Sequence, residues 1–250
     1  MKFLWGVVIS IGLFAVKDSG AFEYPASRTG YIFPLGETQG AVLFTIKTEY
    51  QPKAGANALG QFQTHSIITD QKAEKVLTED ADVSDGQIVS QRVIQYQLDH
   101  EYTVTVTNGK VKFTDQDIAH QKTAKRDEVD WTADFVTGPI TEWFIDAHWD
   151  ELMRGDTVHC RFGVLESLDT YGFNFSLKKK GTFKGHEIAT IAMRPRSLFN
   201  SMMFSLMGGE MQLDLDLKTH RVVHYLGLTP LQRADSKGKL HHFSAEIIYE

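Results

Sequence analysis

From about residue 40 onward, apolar and polar residues alternate with period two, and the apolar positions are rich in β-branched and aromatic side chains. Such a chain offers one greasy face and one wet face, the requirement of a strand in an antiparallel sheet. Strands are expected over 41–50, 61–70, 73–83, 88–98, 102–107, 110–114, 157–164, 171–179, 187–193, 211–217, 221–226 and 240–249. Asn108-Gly109 between two alternating runs marks a two-residue hairpin, because both residues accept the positive φ of a type I′ turn. Asp85-Gly86, Lys184-Gly185, 218–220 and 236–238 are expected to turn the chain as well.

The period changes twice. Ile140, Trp143, Phe144, Ala147 and Leu152 recur at helical spacing, Pro139 suits a first helical turn and Gly155 suits a left-handed stop, so a helix is expected over 139–153. Between 198 and 207, Leu198, Phe199, Met202, Met203, Leu206 and Met207 form one helical stripe. Residues 116–134 are polar and show neither period. The fold class is therefore mainly β, a β-rich α+β chain: a curved antiparallel sheet or incomplete barrel with one or two helices packed against it. One domain over 22–250 is expected, with a subdomain break near 135–140 as the alternative.

The N-terminus reads as an address. Met1 and Lys2 precede the apolar run 3–16, and Ser19 and Ala21 supply the small residues that a signal peptidase needs, giving a signal over 1–21. The run is shorter than the roughly 20 residues of a spanning helix, and no later segment is apolar enough to span. A retained N-terminal anchor is the alternative. The sole cysteine, Cys160, lies far from the apolar run, so a bacterial lipid anchor is not expected, and no disulfide framework or multi-cysteine metal site is available. Together these features point to a soluble, exported, periplasmic protein. The balance of 26 Lys and Arg against 32 Asp and Glu, net −6, argues against a nucleic-acid partner.

Candidate chemistry is sparse. The 198–207 stripe reads as a movable apolar lid over a sheet cavity, with Arg194 and Arg196 near an anionic head group, or as a plug that fills the core. Glu142, Asp146 and Asp150 share one helix face and are expected to be solvated, with a metal or an arginine as the alternatives. His148 lies beside them without the spacing of a zinc-binding helix. His220 is expected in a turn, and His241 and His242 on opposite faces of a strand. Cys160 reads as a small buried hydrophobe. No nucleophile elbow occurs, and no catalytic residue, metal or cofactor is assigned.

Gly138-Pro139, the run His148-Trp149-Asp150-Glu151-Leu152, then Gly155, Thr157, Val158, Phe162 and the run Leu168-Asp169-Thr170-Tyr171-Gly172-Phe173 resemble an uncharacterised family of exported bacterial proteins of unknown function. The architecture is also similar, by analogy, to the periplasmic lipoprotein-carrier half-barrels. That likeness implies a curved sheet wrapped around an apolar cavity. The expected function is binding of a lipid or other apolar or amphiphilic small molecule. The alternatives are a hydrolase or metal-dependent enzyme using acids near 142–151, and a scaffold that pairs a protein partner with a sheet edge.

Overall fold

The alternation becomes fifteen strands of one sheet in the computed structural model, which describes residues 25–53, 60–197, 210–235 and 237–250. A first meander comprises β1 (Ser27–Pro34), β2 (Phe44–Pro52), β3 (Phe62–Asp70), β4 (Lys75–Ser84), β5 (Gln87–Gln95), β6 (His100–Thr107), β7 (Lys110–Asp117) and β8 (Lys122–Asp130). The short β9 (Phe135–Val136) and the helices follow. A second meander comprises β10 (Thr157–Val164), β11 (Asp169–Phe183), β12 (His186–Pro195), β13 (Met211–Asp216), β14 (Val222–Ala234) and β15 (Leu240–Tyr249). The first and last strands join the two meanders, with Gly30 opposite Tyr249 and Ile32 opposite Ile247. All pairs are antiparallel except β9 with β10, and the curved sheet is left unclosed with β8 and β9 at its edges.

Turn chemistry falls where the residues place it. Asn108 and Gly109 have φ of 51° and 72°, and Asp85 and Gly86 have 52° and 71°. Strands β1, β8 and β9 go beyond the expected set. An edge strand such as β8 is largely exposed, so nothing forces its sequence to alternate, and its charges suit an edge that must not pair. Bulges interrupt the ladders at Lys178 and between Leu228 and Gln232, which bends the long strands around the interior.

The expected helix arrives in three pieces: a 3-10 turn over Gly138–Ile140, α1 (Thr141–Ala147) and α2 (Trp149–Arg154), with His148 at φ −109° between the two helices. Gly155 ends α2 in the left-handed conformation at φ 92°. The helices lie across one end of the sheet. There Phe144 packs on Phe175 with ring centroids 5.6 Å apart, and Trp149 stacks on His220 at 3.8 Å. At the other end, the β5–β6 turn reaches a strand that is not its neighbour. Gln95 Nε2 donates to the Pro230 carbonyl at 2.6 Å, and Gln97 Nε2 donates to that of Gln232 at 2.7 Å. Leu231, in the bulged part of β14, is fully buried beside them.

On the outward face, His224 ties three strands together. Its Nδ1 lies 2.8 Å from Asp214 and its Nε2 lies 2.8 Å from Glu246, while Phe183 stacks on its ring at 4.2 Å. Burial opposes charge on this imidazole. The two carboxylates outweigh burial and raise its pKa.

The seat of α1 gives a direct test. A β-carbon on Gly86 would lie 1.8 Å from Trp143 Nε1, whereas one on Gly109 would meet nothing within 4 Å, at nearly the same φ. Gly109→Ala is expected to cost about 1 kcal/mol of backbone strain alone. Gly86→Ala is expected to cost about 3 kcal/mol, because Trp143 and its helix must move. Urea denaturation followed by tryptophan fluorescence measures both; equal losses would contradict this seating of the helix.

Candidate functional site

Strand register places a row of polar side chains on the concave face. Arg28 stands opposite Thr48, Thr48 opposite Ser66, Ser66 opposite Glu79 and Glu79 opposite Val93, across five neighbouring strands. Residues directly opposite one another project to the same side of a sheet. The next row toward α1 contains Tyr50, Thr64, Ala81 and Gln91, and the row on the other side contains Gly30, Ile46, Ile68 and Leu77. The concave face is thus polar near the helix and apolar away from it.

These rows wall a cavity of about 620 Å³. Ile46, Ile68, Leu213, Phe162, Phe173 and Ile247 supply much of its apolar surface, and Gly138, Pro139, Thr141 and Glu142 line it from the helical side. Met193 and Met211, which flank the β12–β13 connection, also line it.

Arg28 is the centre of the polar end. Its Nη1 donates to Glu142 Oε1 at 2.6 Å, and its guanidinium lies 3.7 Å over the Tyr249 ring. Burial acts against the charge on Arg28, but Glu142 and the two tyrosines Tyr249 and Tyr50 hold its pKa above the ordinary value. Glu142 Oε1 also accepts the Val222 amide at 3.0 Å, so one carboxylate ties helix α1 to β1 and β14. Three buried atoms in the cavity wall have no hydrogen-bond partner: Arg28 Nη2, Thr64 Oγ1 and Gln91 Oε1. Orphaned groups of this kind are uncommon in folded proteins, and three of the seven such atoms among the described residues face this one cavity.

Glu79 is the second unusual group. It receives a hydrogen bond from Gln91 Nε2 at 2.6 Å. Burial nevertheless pushes its carboxyl up to about 7, with Asp80 and Glu166 adding to the effect of burial. Glu79 is half-buried on the inward side of its strand, between Leu77 and Ala81, and these surroundings disfavour the charged form of its carboxyl.

Of the ligand-binding residues singled out from sequence, only Arg194 and Arg196 lie among the described residues. Arg194 is exposed on the outward face, with its Nε donating to Glu210 Oε2 at 2.6 Å, and Lys178 donates to the same carboxylate at 2.7 Å. Arg196 is also exposed, lies against Gly172 and does not line the cavity. Leu198, Phe199, Met202, Met203, Leu206 and Met207 lie outside the described residues. Of the three acids expected to be solvated, Asp150 is exposed but Glu142 and Asp146 are docked. Glu142 and Asp146 are 14% and 13% exposed, and Asp146 meets His220 Nδ1 at 2.6 Å. An arginine and a histidine do what water was expected to do. No group of three or more His, Cys, Asp or Glu side chains among the described residues is arranged to hold a metal ion. Cys160 is fully buried, and burial pushes its thiol up to about 12, which leaves it protonated and unreactive.

The pH dependence of stability tests the two perturbed groups. Below about pH 4.5 Glu79 is protonated both folded and unfolded. Between about 4.5 and 7 the unfolded chain ionises it while the folded chain does not, so rising pH favours unfolding, and the loss is complete above about 7. Wild type is therefore expected to lose about 3 kcal/mol relative to Glu79→Gln between pH 4 and pH 8. His224 acts in the next window: its raised pKa gives stability that is full below about 6.5 and is lost as pH rises through the folded value. His224→Gln should abolish that second decline and leave the first intact. Urea midpoints at half-unit pH steps resolve the two; a flat difference between wild type and Glu79→Gln would overturn the assignment.

No family model and no curated protein matches this chain. Among solved structures, it is similar to one described as a β-barrel-like protein of the domain of unknown function DUF1849 from Brucella abortus. The sequences are 6% identical, 90% of this chain and 94% of that chain are covered, and the TM-score is 0.35. It is also similar to a DUF1329 family protein from Desulfovibrio piger, at 10% identity over 90% of this chain and 82% of that chain, with a TM-score of 0.23.

Proposed function

We propose that this chain is an exported envelope protein that binds an apolar or amphiphilic small molecule inside its curved sheet. The observation that carries the reading is the cavity of about 620 Å³, which lies within the roughly 300–1,000 Å³ of small-molecule sites and is lined mainly by apolar side chains. A core built only for stability fills its interior, since unfilled apolar volume forfeits dispersion contacts. The features at 1–21 support export, and the position of Cys160 speaks against a lipid anchor at the N-terminus.

Two measurements test this reading. Displacement of an environment-sensitive apolar dye from the purified protein should reveal saturable binding at one site. Ile46→Trp, which places an indole in the cavity, should weaken that binding at least roughly tenfold while the far-ultraviolet spectrum stays that of a β protein. Equal dye affinity in wild type and Ile46→Trp would overturn cavity binding. Intact-mass measurement of the protein from the envelope fraction should show a chain beginning at residue 22. Retention of the first 21 residues, or recovery only from the cytoplasm, would overturn export by a cleaved signal.

A further inference from the structure

Resting on the cavity-binding reading, we propose that the cavity selects amphiphiles whose head group is uncharged and both donates and accepts hydrogen bonds, the chemistry of a monoacylglycerol, and discriminates against charged heads. The polar end itself makes the argument. Its orphaned atoms are Arg28 Nη2, which only donates, Gln91 Oε1, which only accepts, and Thr64 Oγ1, which does either. An anionic head, all acceptor, satisfies Arg28 and leaves Gln91 Oε1 unpaired. A cationic ammonium, all donor, does the reverse. A glycerol hydroxyl and ester satisfy both.

Charge gives the same answer. Among the described residues, Arg28 is the one arginine or lysine in the cavity wall, and Glu142 neutralises it at 2.6 Å. Glu79 stands in the same cross-strand row, and Glu166 lies at the exposed rim. An anion entering this end therefore finds no uncompensated positive charge and up to two further carboxylates. Glu79 also shows what the site does to a carboxylate already fixed in it: burial keeps its proton on to about pH 7. A second carboxylate placed beside it is subject to the same penalty. At the other end of the row, the side chain of Arg28 is only 10% exposed, so water does not screen these interactions as it does at a surface.

The test uses three ligands with the same twelve-carbon chain, below their micelle concentrations, on the wild-type protein at pH 8: 1-monolauroylglycerol, laurate and dodecylammonium. The glyceride is expected to displace the dye roughly tenfold more tightly than either ion, consistent with one unmatched charge in a poorly screened site. In Glu79→Gln the affinity for laurate should rise roughly tenfold relative to that for the glyceride. Laurate or dodecylammonium binding as tightly as the glyceride, or a laurate affinity indifferent to Glu79→Gln, would overturn the head-group selection and leave cavity binding standing. Displacement by none of the three, in a protein whose fold is intact, would overturn both. The wild-type comparison needs no variant, so poor folding of Glu79→Gln does not remove the test.

Discussion

The ion pair between Arg28 and Glu142 is the constraint on which the rest of the structure depends. It joins residues 114 apart in sequence, the start of β1 and the first turn of α1, and through the Val222 amide it also takes in the start of β14. Removing both charges from water is costly, and a lone charge left there is costlier, so neither partner is dispensable while the other remains. The pair fixes where α1 crosses the end of the sheet. Trp143 on the Gly86 turn and Asp146 on His220 then settle the two sides of the same helix. Without that crossing, the concave face would open to solvent at its polar end.

Close approach of the backbone makes the arrangement possible. Tyr249 stands opposite Gly30, and a β-carbon on Gly30 would lie 2.8 Å from the tyrosine ring and 2.7 Å from Ile46 Cγ2. The missing side chain lets the ring lie across β1 and reach under the guanidinium of Arg28, where the negative face of the ring supports the cation. One glycine thus serves the packing of the apolar row and the electrostatics of the polar row together.

Much of this fold was legible because strand parity and turn chemistry are local. Asn108-Gly109 announces its own hairpin, and the 157–164 run appears as β10 without adjustment. The edge strand β8 was illegible for a physical reason: with both faces wet, it has no need to alternate. The helix was legible in its ends, Pro139 and Gly155, but its break at His148 was not. The acids of α1 show the limit most clearly. Spacing placed Glu142 and Asp146 on one face, yet their partners, Arg28 and His220, come from turns and strands far along the chain. The cavity row carried one signal that parity alone offers. Thr48, Thr64, Ser66 and Glu79 occupy positions where the alternation of β2, β3 and β4 calls for an apolar side chain. One such exception is noise; Thr48, Ser66 and Glu79 register across adjacent strands, and Arg28 joins their row from β1.

That polar row runs against the economy of a core. Apolar residues at Thr48, Ser66 and Glu79 would fill volume and remove an ionisable group, and one at Thr64 would remove an unpaired atom, which costs about 1–3 kcal/mol when buried. On the outward face the chain treats buried polar groups differently: His224, Asp214, Thr190 and Glu246 satisfy one another in a closed network. The same sheet therefore holds one polar cluster that is complete within itself and another that is not. Thr64 and Gln91 leave unpaired atoms that face open volume and not packed neighbours, and under the proposed function a bound head group is what pairs them.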